Sequence, residues 1–357
     1  MKPLYITAVV TFSGKTALAL GIGLKLQAAG KRVGYFKPVS TQPFISGGKV
    51  IDEDADFVKR SLGLNIPTEE LSPVVIDESL FDKILHGKAN RNFLDDVKAA
   101  YQKASDGKDV LIIEGGSSLR EGYGVEVSPV RLIDELDLPT LGVVRYRSGI
   151  FLVDDVLALR DRVGAAGKDM LVGAVINSVP AEAMDHVKGK IVPFLERQNV
   201  RILGVLPQQH TLMSMTVDEM TAIAGGKTLV KGRGDAIIEN ITVGAMSVET
   251  AMGYFRRILR KLVITGGDRA DIQAAALETS TTALLLTGNL NPTSTVLKHA
   301  EERGVAVVLV PDNTIDAVER VERYFGKTRL AHPEKLNRFR ETLDAHFDWA
   351  RFMSVFG

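Results

Sequence analysis

The stretch that decides the fold is residues 4–16, which read LYITAVVTFSGKT. The apolar run Leu4–Val10 leads into a turn, and Gly-Lys-Thr then opens residues 17–27, which carry Ala and Leu at helical spacing. Strand, turn, Gly-Lys-Thr and helix in this order are typical of a P-loop, whose backbone N–H groups cradle phosphate oxygens. Lys15 adds a positive charge, and the Thr16 hydroxyl can bind Mg²⁺. The sequence therefore predicts a nucleoside triphosphate as ligand.

The loop departs from the P-loop pattern GxxxxGK[ST] at its start. The first glycine would fall at Val9, or at Ala8 in a loop one residue longer, and neither is glycine. Glycine adopts the unusual backbone angles of this turn at low cost, so its absence predicts weaker phosphate binding. The alternative is a plain helix start with a solvated Lys15, but the preceding strand and the small-residue helix favour the phosphate loop.

Composition and charge exclude several classes of function. The 357 residues predict two or three domains, and 44 basic side chains balance 44 acidic ones, so neither nucleic acid nor an anionic membrane is an expected partner. The absence of cysteine excludes disulfides, thiolate metal sites and a cysteine nucleophile. The six histidines show no paired metal-ligand spacing. With no leader pattern and no apolar run of about 18 residues, we expect a cytoplasmic protein that does not enter a membrane.

Short apolar runs alternate with helical segments over the first two hundred residues. This pattern predicts an α/β fold with a P-loop-type, mostly parallel, doubly wound sheet that binds ligands beyond the carboxyl ends of its strands. The predicted strands are Leu4–Val10, Arg32–Tyr35, Val110–Ile113, Thr140–Val144, Leu171–Ile176 and Ile202–Val205. The predicted helices include Phe93–Lys103, Phe151–Val163 and Ala181–Gln198.

Polar residues follow these strands at the edge where a nucleotide would bind. Glu114 can join Thr16 in holding Mg²⁺ through oxygen ligands, and Lys37 can neutralise a phosphate or a substrate acid. The alternatives are a carboxylate that caps a helix and a solvated lysine before a proline turn. Asn177 ends another strand. The acidic cluster at 52–56 begins a helix, where negative charge suits the helix dipole, so only one of its carboxylates needs a role.

The pattern changes around residues 205–218, which places a domain boundary near residue 212. We predict a nucleotide-binding domain over 1–211, a smaller α/β domain over 212–330, and a C-terminal helical tail over 331–357 that packs on a domain or a neighbouring subunit. The elements predicted after the boundary are strands Ile237–Val243, Lys261–Thr265, Ala283–Leu286 and Val305–Val310, with helices Val248–Arg260, Arg269–Leu277, Ser294–Arg303, Thr314–Tyr324 and Pro333–Phe356. Asp268 is predicted to cap a helix beside a solvated Arg269, in preference to an anion site at that arginine.

The landmarks of the first domain resemble those of dethiobiotin synthetase in order and spacing; they are Ser13–Thr16, Lys37–Val39, Asp54–Ala55, Glu114–Gly116, Asn177 and Gly204–Pro207. The resemblance implies that Lys15 and Thr16 bind the ATP phosphates and Mg²⁺, and that Asp54 and Glu114 complete the metal site. It also implies that Lys37 contacts the substrate and that Asn177 recognises adenine. The expected cofactor-binding residues are Thr11, Ser13, Gly14, Lys15, Thr16, Ala17 and Asn177. The expected metal ligands are Thr16, Asp54 and Glu114, and the expected catalytic residues are Lys15 and Lys37.

The second domain resembles a DRTGG domain through residues 265–273 and 286–292. The two domains in this order resemble the N-terminal regulatory half of long phosphotransacetylases and its stand-alone relatives. The resemblance implies a regulatory protein that binds ATP and Mg²⁺, is linked to acetyl-CoA and acetyl phosphate metabolism, and has a separately encoded phosphotransacetylase as a partner. We also expect a homo-oligomer.

The alternative function is that of an ATP-dependent ligase of the dethiobiotin or cobyrinate type, acting on a small carboxylate or amine. Lys15 and a Mg²⁺ ion at Thr16, Asp54 and Glu114 would then stabilise the transferring charge. The loop carries Phe12 and no acidic residue before Gly-Lys-Thr, which favours binding over catalysis. Without cysteine the chain cannot supply a glutaminase nucleophile, and its two domains and tail leave no room for acetyl transfer. Whether the chain is an enzyme stays open at this point.

Overall fold

The computed structural model describes residues 1–165, 167–209, 214–324 and 333–356 of the chain. They divide into two units, of which residues 1–208 and 331–357 form the first and residues 209–330 the second. The boundary predicted near residue 212 lies outside the described residues. No helix within these ranges is both long enough and apolar enough to span a lipid bilayer.

The first unit contains ten strands and nine α-helices within its described residues up to 208. The strands are β1 (Lys2–Ala8), β2 (Val33–Phe36), β3 (Val39–Ser40), β4 (Pro43–Ser46), β5 (Lys49–Asp52), β6 (Val74–Val75), β7 (Val110–Glu114), β8 (Thr140–Arg145), β9 (Leu171–Val179) and β10 (Ile202–Pro207). The helices are α1 (Lys15–Ala28), α2 (Glu53–Leu62), α3 (Thr68–Leu71), α4 (Glu78–Leu85), α5 (Phe93–Ser105), α6 (Pro129–Leu136), α7 (Ile150–Gly164), α8 (Met184–His186) and α9 (Val192–Arg197). The predicted helix Ala181–Gln198 is observed as a continuous helical stretch over residues 181–197 that contains a π-helical turn at Val187–Ile191.

A six-stranded sheet in the order β10-β9-β8-β1-β7-β2 forms the centre of this unit. All five strand pairings are parallel, which confirms the predicted fold class. The first strand ends at Ala8, two residues earlier than the predicted Val10, because the chain already turns at Val9. The P-loop turn therefore begins directly at the carboxyl edge of the central strand.

The two faces of the sheet carry different helices. Tyr5, Ile113 and Val144 belong to one hydrophobic cluster, which also contains residues of α5 and α7. Side chains alternate along a strand, so Ile112 lies on the opposite face. A Cβ atom added to Gly23 of α1 would lie 3.3 Å from the Ile112 side chain, so α1 packs on that opposite face. Strand residues on the face of α1 are therefore the ones that can reach the P-loop.

A β-hairpin of β4 and β5 precedes α2, and it was not predicted from the sequence. Its strands pair in antiparallel fashion across Gly47–Gly48, and both glycines have positive φ. Phe44 and Ile45 on β4 are exposed, whereas Ile51 and Asp52 at the end of β5 are buried. The Gly-Gly pair between two short apolar runs is a hairpin signal that could have indicated it.

The second unit is built on a five-stranded sheet in the order β12-β17-β16-β15-β14. Its pairings are parallel except that β12 runs antiparallel to β17. The strands of this unit are β11 (Met215–Thr216), β12 (Lys227–Val230), β13 (Ile237–Ile238), β14 (Asn240–Val243), β15 (Lys261–Gly266), β16 (Thr281–Thr287) and β17 (Ala306–Leu309). The helices are α10 (Val217–Ala224), α11 (Val248–Phe255), α12 (Ala270–Leu277), α13 (Ser294–Arg303) and α14 (Thr314–Tyr324).

Two local predictions for this unit are wrong. The predicted strand Ile237–Val243 is two strands in different sheets, because Glu239 between them donates its backbone N–H to the carbonyl of Arg260. The predicted cap at Asp268 is also wrong, since Arg269 occupies the N-cap position of α12. The Arg269 guanidinium is not simply solvated, because it pairs with Asp271 at 3.1 Å.

The C-terminal tail forms two helices, α15 (Pro333–His346) and α16 (Trp349–Phe356), in place of the single predicted helix. The break arises because Phe347 bridges to Gly204 of β10 and the Asp348 N–H donates to the Leu203 carbonyl. The tail belongs to the first unit, where Leu343 fills the space beside Gly21 of α1. The ring of Trp349 lies 5.2 Å from the Nζ atom of Lys25, also on α1.

Lys261, the first residue of β15, is fully buried and has no carboxylate partner among the described residues. Its Nζ atom donates to the carbonyls of Ile258 and Ser280 at 3.1 and 3.0 Å and lies over the ring of Phe255. Burial lowers the pKa of Lys261 to about 8. The side chain thus joins the segment after α11 to the start of β16.

We predict that Lys261 makes the second unit more stable as the pH rises from about 8 to about 10.4. Its pKa is lower in the folded chain than in the unfolded chain, so the unfolded chain binds more protons in this window and the free energy of unfolding rises with pH. Lys261→Met should remove the rise, while Lys227→Met at an exposed site should keep it. Hydrogen exchange of the β15 amides across urea titrations at pH 7.5 and 10 measures the difference. A rise of equal size in both variants would contradict the assignment.

Candidate functional site

The turn between β1 and α1 is shaped by two residues with positive φ. Phe12 has a φ of 53° and a half-exposed side chain, and Gly14, the N-cap of α1, has a φ of 96°. A Cβ atom at Gly14 would lie 2.4 Å from Nδ2 of Asn177, so a larger residue there would have to displace the Asn177 amide. The first backbone N–H groups of α1 have no partners within the helix and are available to an anion. Thr11 is exposed in the turn, and Ala17 is buried in the first turn of α1.

Asn177 on β9 holds the P-loop in place. Its Nδ2 atom donates to the Ser13 carbonyl at 2.8 Å, and its Oδ1 atom accepts the N–H of Ser178 at 2.8 Å. Its amide therefore has a structural use, and its expected contact with adenine stays a prediction. The hydroxyl of Ser13 is buried and finds no hydrogen-bond partner in the part of the chain that the structure describes. A phosphate oxygen is an acceptor that suits this donor.

Lys15 opens α1 and is only 7% exposed. Its Nζ atom donates to the backbone carbonyl of Ser117 at 2.9 Å, and the Ser117 N–H in turn donates to the carboxylate of Glu121. Burial lowers the pKa of Lys15, and the negative charge of Glu114 opposes the shift. The Lys15 ammonium is thus hydrogen-bonded to the neutral carbonyl of Ser117 and not to a carboxylate.

Glu114 ends β7 as a buried carboxylate with two hydroxyl donors. The Thr16 Oγ1 atom donates to Glu114 Oε1 at 2.6 Å, and the Tyr35 hydroxyl donates to Oε2 at 2.8 Å. Burial raises the pKa of Glu114, and the ammonium of Lys37 opposes this. Burial, followed by the charge of Glu114, also holds the pKa of Tyr35 well above its ordinary value. Tyr35 was missed in the sequence, although its place at the end of β2 beside β7 could have indicated it.

Lys37 is buried between two carboxylates. Its Nζ atom lies 2.9 Å from Asp52 Oδ2 and 2.9 Å from Asp54 Oδ2. Burial tends to lower the pKa of Lys37, but together the carboxylates of Asp54, Asp52 and Glu114 hold it above the ordinary value. Asp52 also accepts from the Ser40 hydroxyl and caps α2 through the Ala55 N–H. Its sequence signal, an acid before a helix, indicated only the cap.

The structure therefore brings some of the predicted metal ligands together directly. Thr16 and Glu114 are in contact, whereas Asp54 pairs with Lys37 and raises the pKa of Glu114 through its charge. Within the described residues no three side chains of His, Asp or Glu converge as a metal site. Mg²⁺ often takes one or two protein oxygens and completes its shell with phosphates and water, and Thr16 with Glu114 fits that pattern.

Two family models match the chain, one for each domain. A family model described as an AAA domain matches residues 2–216, and a model described as a DRTGG domain matches residues 219–324. These matches confirm the predicted order of a P-loop domain followed by a DRTGG domain.

Individual relatives fall into two groups. Phosphate acetyltransferase of Nitratidesulfovibrio vulgaris is 26% identical over 363 residues, which cover 97% of this chain and 50% of that protein. ATP-dependent dethiobiotin synthetase of Methanococcus vannielii is 29% identical over 206 residues, which cover 57% of this chain and 92% of that protein. The chain spans about half the length of the phosphate acetyltransferases it matches.

One solved structure that the chain matches contains the CBS and DRTGG domains of the regulatory region of Clostridium perfringens pyrophosphatase, complexed with the activator diadenosine tetraphosphate. Its sequence identity is 15%, its TM-score is 0.28, and the match covers 38% of this chain and 69% of that chain.

We predict that Gly14→Ala destabilises the first unit more than Gly30→Ala. Both glycines have positive φ and flank α1, but a Cβ at Gly30 meets nothing within 4 Å, whereas one at Gly14 meets Asn177. Gly30→Ala should cost about 1 kcal/mol of backbone strain, and Gly14→Ala roughly 2–4 kcal/mol because the clash adds to the strain. Urea unfolding followed by circular dichroism measures both. Equal costs would show that the contact with Asn177 does not constrain the loop.

Proposed function

The chain belongs to the AAA domain family through its first domain, and we propose that it is a regulatory protein that binds ATP with Mg²⁺ there. The observation that carries the proposal is the convergence of Lys15, Thr16 and Glu114 at the start of α1, beyond the carboxyl edge of β1. An ammonium, a hydroxyl and a carboxylate beside free helix N–H groups are the donors that a triphosphate and its metal require.

We propose that Thr16 and Glu114 hold the metal together with the phosphates. Mg²⁺ would neutralise phosphate charge. The Glu114 carboxylate would then contact the metal ion in place of the hydrogen bond that it accepts from the Thr16 hydroxyl. Burial of Glu114 supports this role, because a buried carboxylate gains most from a cation. The expected contribution of Asp54 then requires it to act across Lys37, with which it pairs.

A regulatory role is supported by the loop and by the relatives. Phe12 leaves the turn without an acidic side chain, and Lys37 is already neutralised by Asp52 and Asp54. The phosphate acetyltransferases match nearly the whole chain over half of their own length. We therefore propose that nucleotide binding in a homo-oligomer of this chain modulates a phosphate acetyltransferase partner, and so acetyl-CoA and acetyl phosphate metabolism.

The second candidate is an ATP-dependent ligase that acts on a small carboxylate or amine. It is favoured by the dethiobiotin synthetase relative, which the first domain covers over 92% of its length. A ligase would turn over ATP faster with its substrate, and Lys15→Ala would abolish that stimulation. A regulatory protein would bind ATP with no such stimulation and would change the rate of a phosphate acetyltransferase added to the assay.

We predict that Lys15→Ala weakens ATP–Mg²⁺ binding at least about tenfold, because the ammonium makes a charge-assisted contact with phosphate. Lys25→Ala is the matched control on the same helix, since Lys25 is exposed and pairs with Asp344 at 2.7 Å. Isothermal titration calorimetry measures both affinities. If the unaltered chain shows no binding at millimolar ATP–Mg²⁺, the proposed function is wrong.

We also predict that Glu114→Gln removes most of the effect of Mg²⁺ on ATP affinity. The amide keeps the shape of the side chain but lacks the charge that attracts the metal ion. The control is Glu126→Gln, whose side chain is 82% exposed. Titrations with ATP in the presence of Mg²⁺ and of EDTA give the ratio of affinities for each variant. An unchanged ratio in Glu114→Gln would exclude Glu114 as a metal ligand.

A further inference from the structure

Arg145, the last residue of β8, is a half-buried residue whose side chain forms no ion pair or hydrogen bond with any residue the structure describes. Arg147, two residues later, shows the contrast. Its guanidinium is exposed and donates two hydrogen bonds to Asp155, at 2.8 and 2.7 Å. A charge on a half-buried residue is costly without a counterion, so Arg145 calls for an explanation that Arg147 does not.

The side chain of Arg145 lies on the face of the sheet that carries α1. Its neighbour Val144 belongs to the hydrophobic cluster on the other face, together with Ile113. Because side chains alternate along a strand, Arg145 projects from the same face as Ile112, against which Gly23 of α1 packs. Glu114 and Asn177 project from this face too, as their contacts with Thr16 and Ser13 show.

The strand register places Arg145 at the level of the P-loop. Val143 pairs with Ala8, the last residue of β1, so Arg145 lies two residues beyond the point where β1 ends. On its other side Arg145 pairs with Asn177, whose amide holds the Ser13 carbonyl. Since β8 and β7 flank β1, Arg145 stands on one side of the loop and Glu114 on the other.

We propose that Arg145 is a second phosphate-binding cation, which binds the phosphate chain of the nucleotide from the β8 side while Glu114 and the metal act from the β7 side. This inference rests on the proposed function. A planar guanidinium can give two parallel hydrogen bonds to one phosphate, and a half-buried site strengthens them. Because Glu114 lies on one side of the loop and Arg145 on the other, a bound triphosphate would have a defined direction across the loop.

The test compares Arg145→Gln, Arg145→Lys and the control Arg147→Gln with the unaltered chain. Calorimetric titrations with Mg²⁺ use ATP, ADP, AMP and adenosine as probes. Arg145→Gln should weaken ATP binding about tenfold or more, with a smaller loss for each phosphate removed and less than about twofold for adenosine. Arg145→Lys keeps the charge and should recover part of the loss, and Arg147→Gln should bind like the unaltered chain. Circular dichroism verifies that each variant is folded.

Each outcome decides the matter. Unchanged ATP affinity in Arg145→Gln, with the unaltered chain still binding ATP, overturns the role of Arg145 and leaves the proposed function standing. An equal loss for ATP and adenosine also overturns it, because the arginine would then act on the fold or the base. If the unaltered chain binds no nucleotide, the proposed function fails, and the role of Arg145 fails with it. Should Arg145→Gln not fold, the affinity of Arg145→Lys across the four probes decides, since a lysine that loses affinity equally for all of them contradicts a phosphate contact.

Discussion

The hydrogen bond from Asn177 to the Ser13 carbonyl is the constraint on which the site depends. It ties the turn after β1 to β9, two strands away, and the Asn177 amide lies against the left-handed backbone at Gly14, where a side chain would collide with it. The direction in which α1 leaves the turn follows from that conformation. Lys15 and Thr16 are thereby directed toward β7, where Ser117 and Glu114 receive them. A loop without the first glycine of its pattern thus takes its shape from a neighbouring strand.

The charges of the site are arranged so that each buried group is compensated differently. Lys37 has two carboxylates, Glu114 has two hydroxyl donors, and Lys15 has one neutral carbonyl. Full compensation fixes Lys37 in the structure, because removing either partner would leave a buried charge unpaired. Lys15 is the least compensated of the three, and it is therefore the group with the most to gain from an anion. The difference in compensation distinguishes Lys37, which is held in the structure, from Lys15, the candidate ligand-binding lysine, although both follow strands of the same sheet.

Much of the first domain follows from local sequence pattern. The run before Gly-Lys-Thr, the small residues of α1 and the acid at the end of β7 identified the P-loop and the sheet edge, because period and turn chemistry are local signals. Tyr35 was missed because its partner Glu114 is distant in the sequence. Asp52 was missed as a partner of Lys37 because its position before a helix already explained it as a helix cap. The break at Phe347 depends on an edge of β10 that no helical pattern reveals. The free guanidinium of Arg145 likewise becomes visible only once register and alternation place it beside the loop.

The packing of Trp349 on Lys25 has a practical consequence. The chain contains one tryptophan, and its ring lies against the helix that Lys15 opens. The indole also contacts Phe347 at a tilted angle and Phe352 edge to face, so its surroundings change when the tail or that helix shifts. Tryptophan fluorescence of this protein therefore comes from Trp349 alone. The molecule carries its own optical probe for movement of the phosphate-loop helix, with no dye or engineered chromophore required.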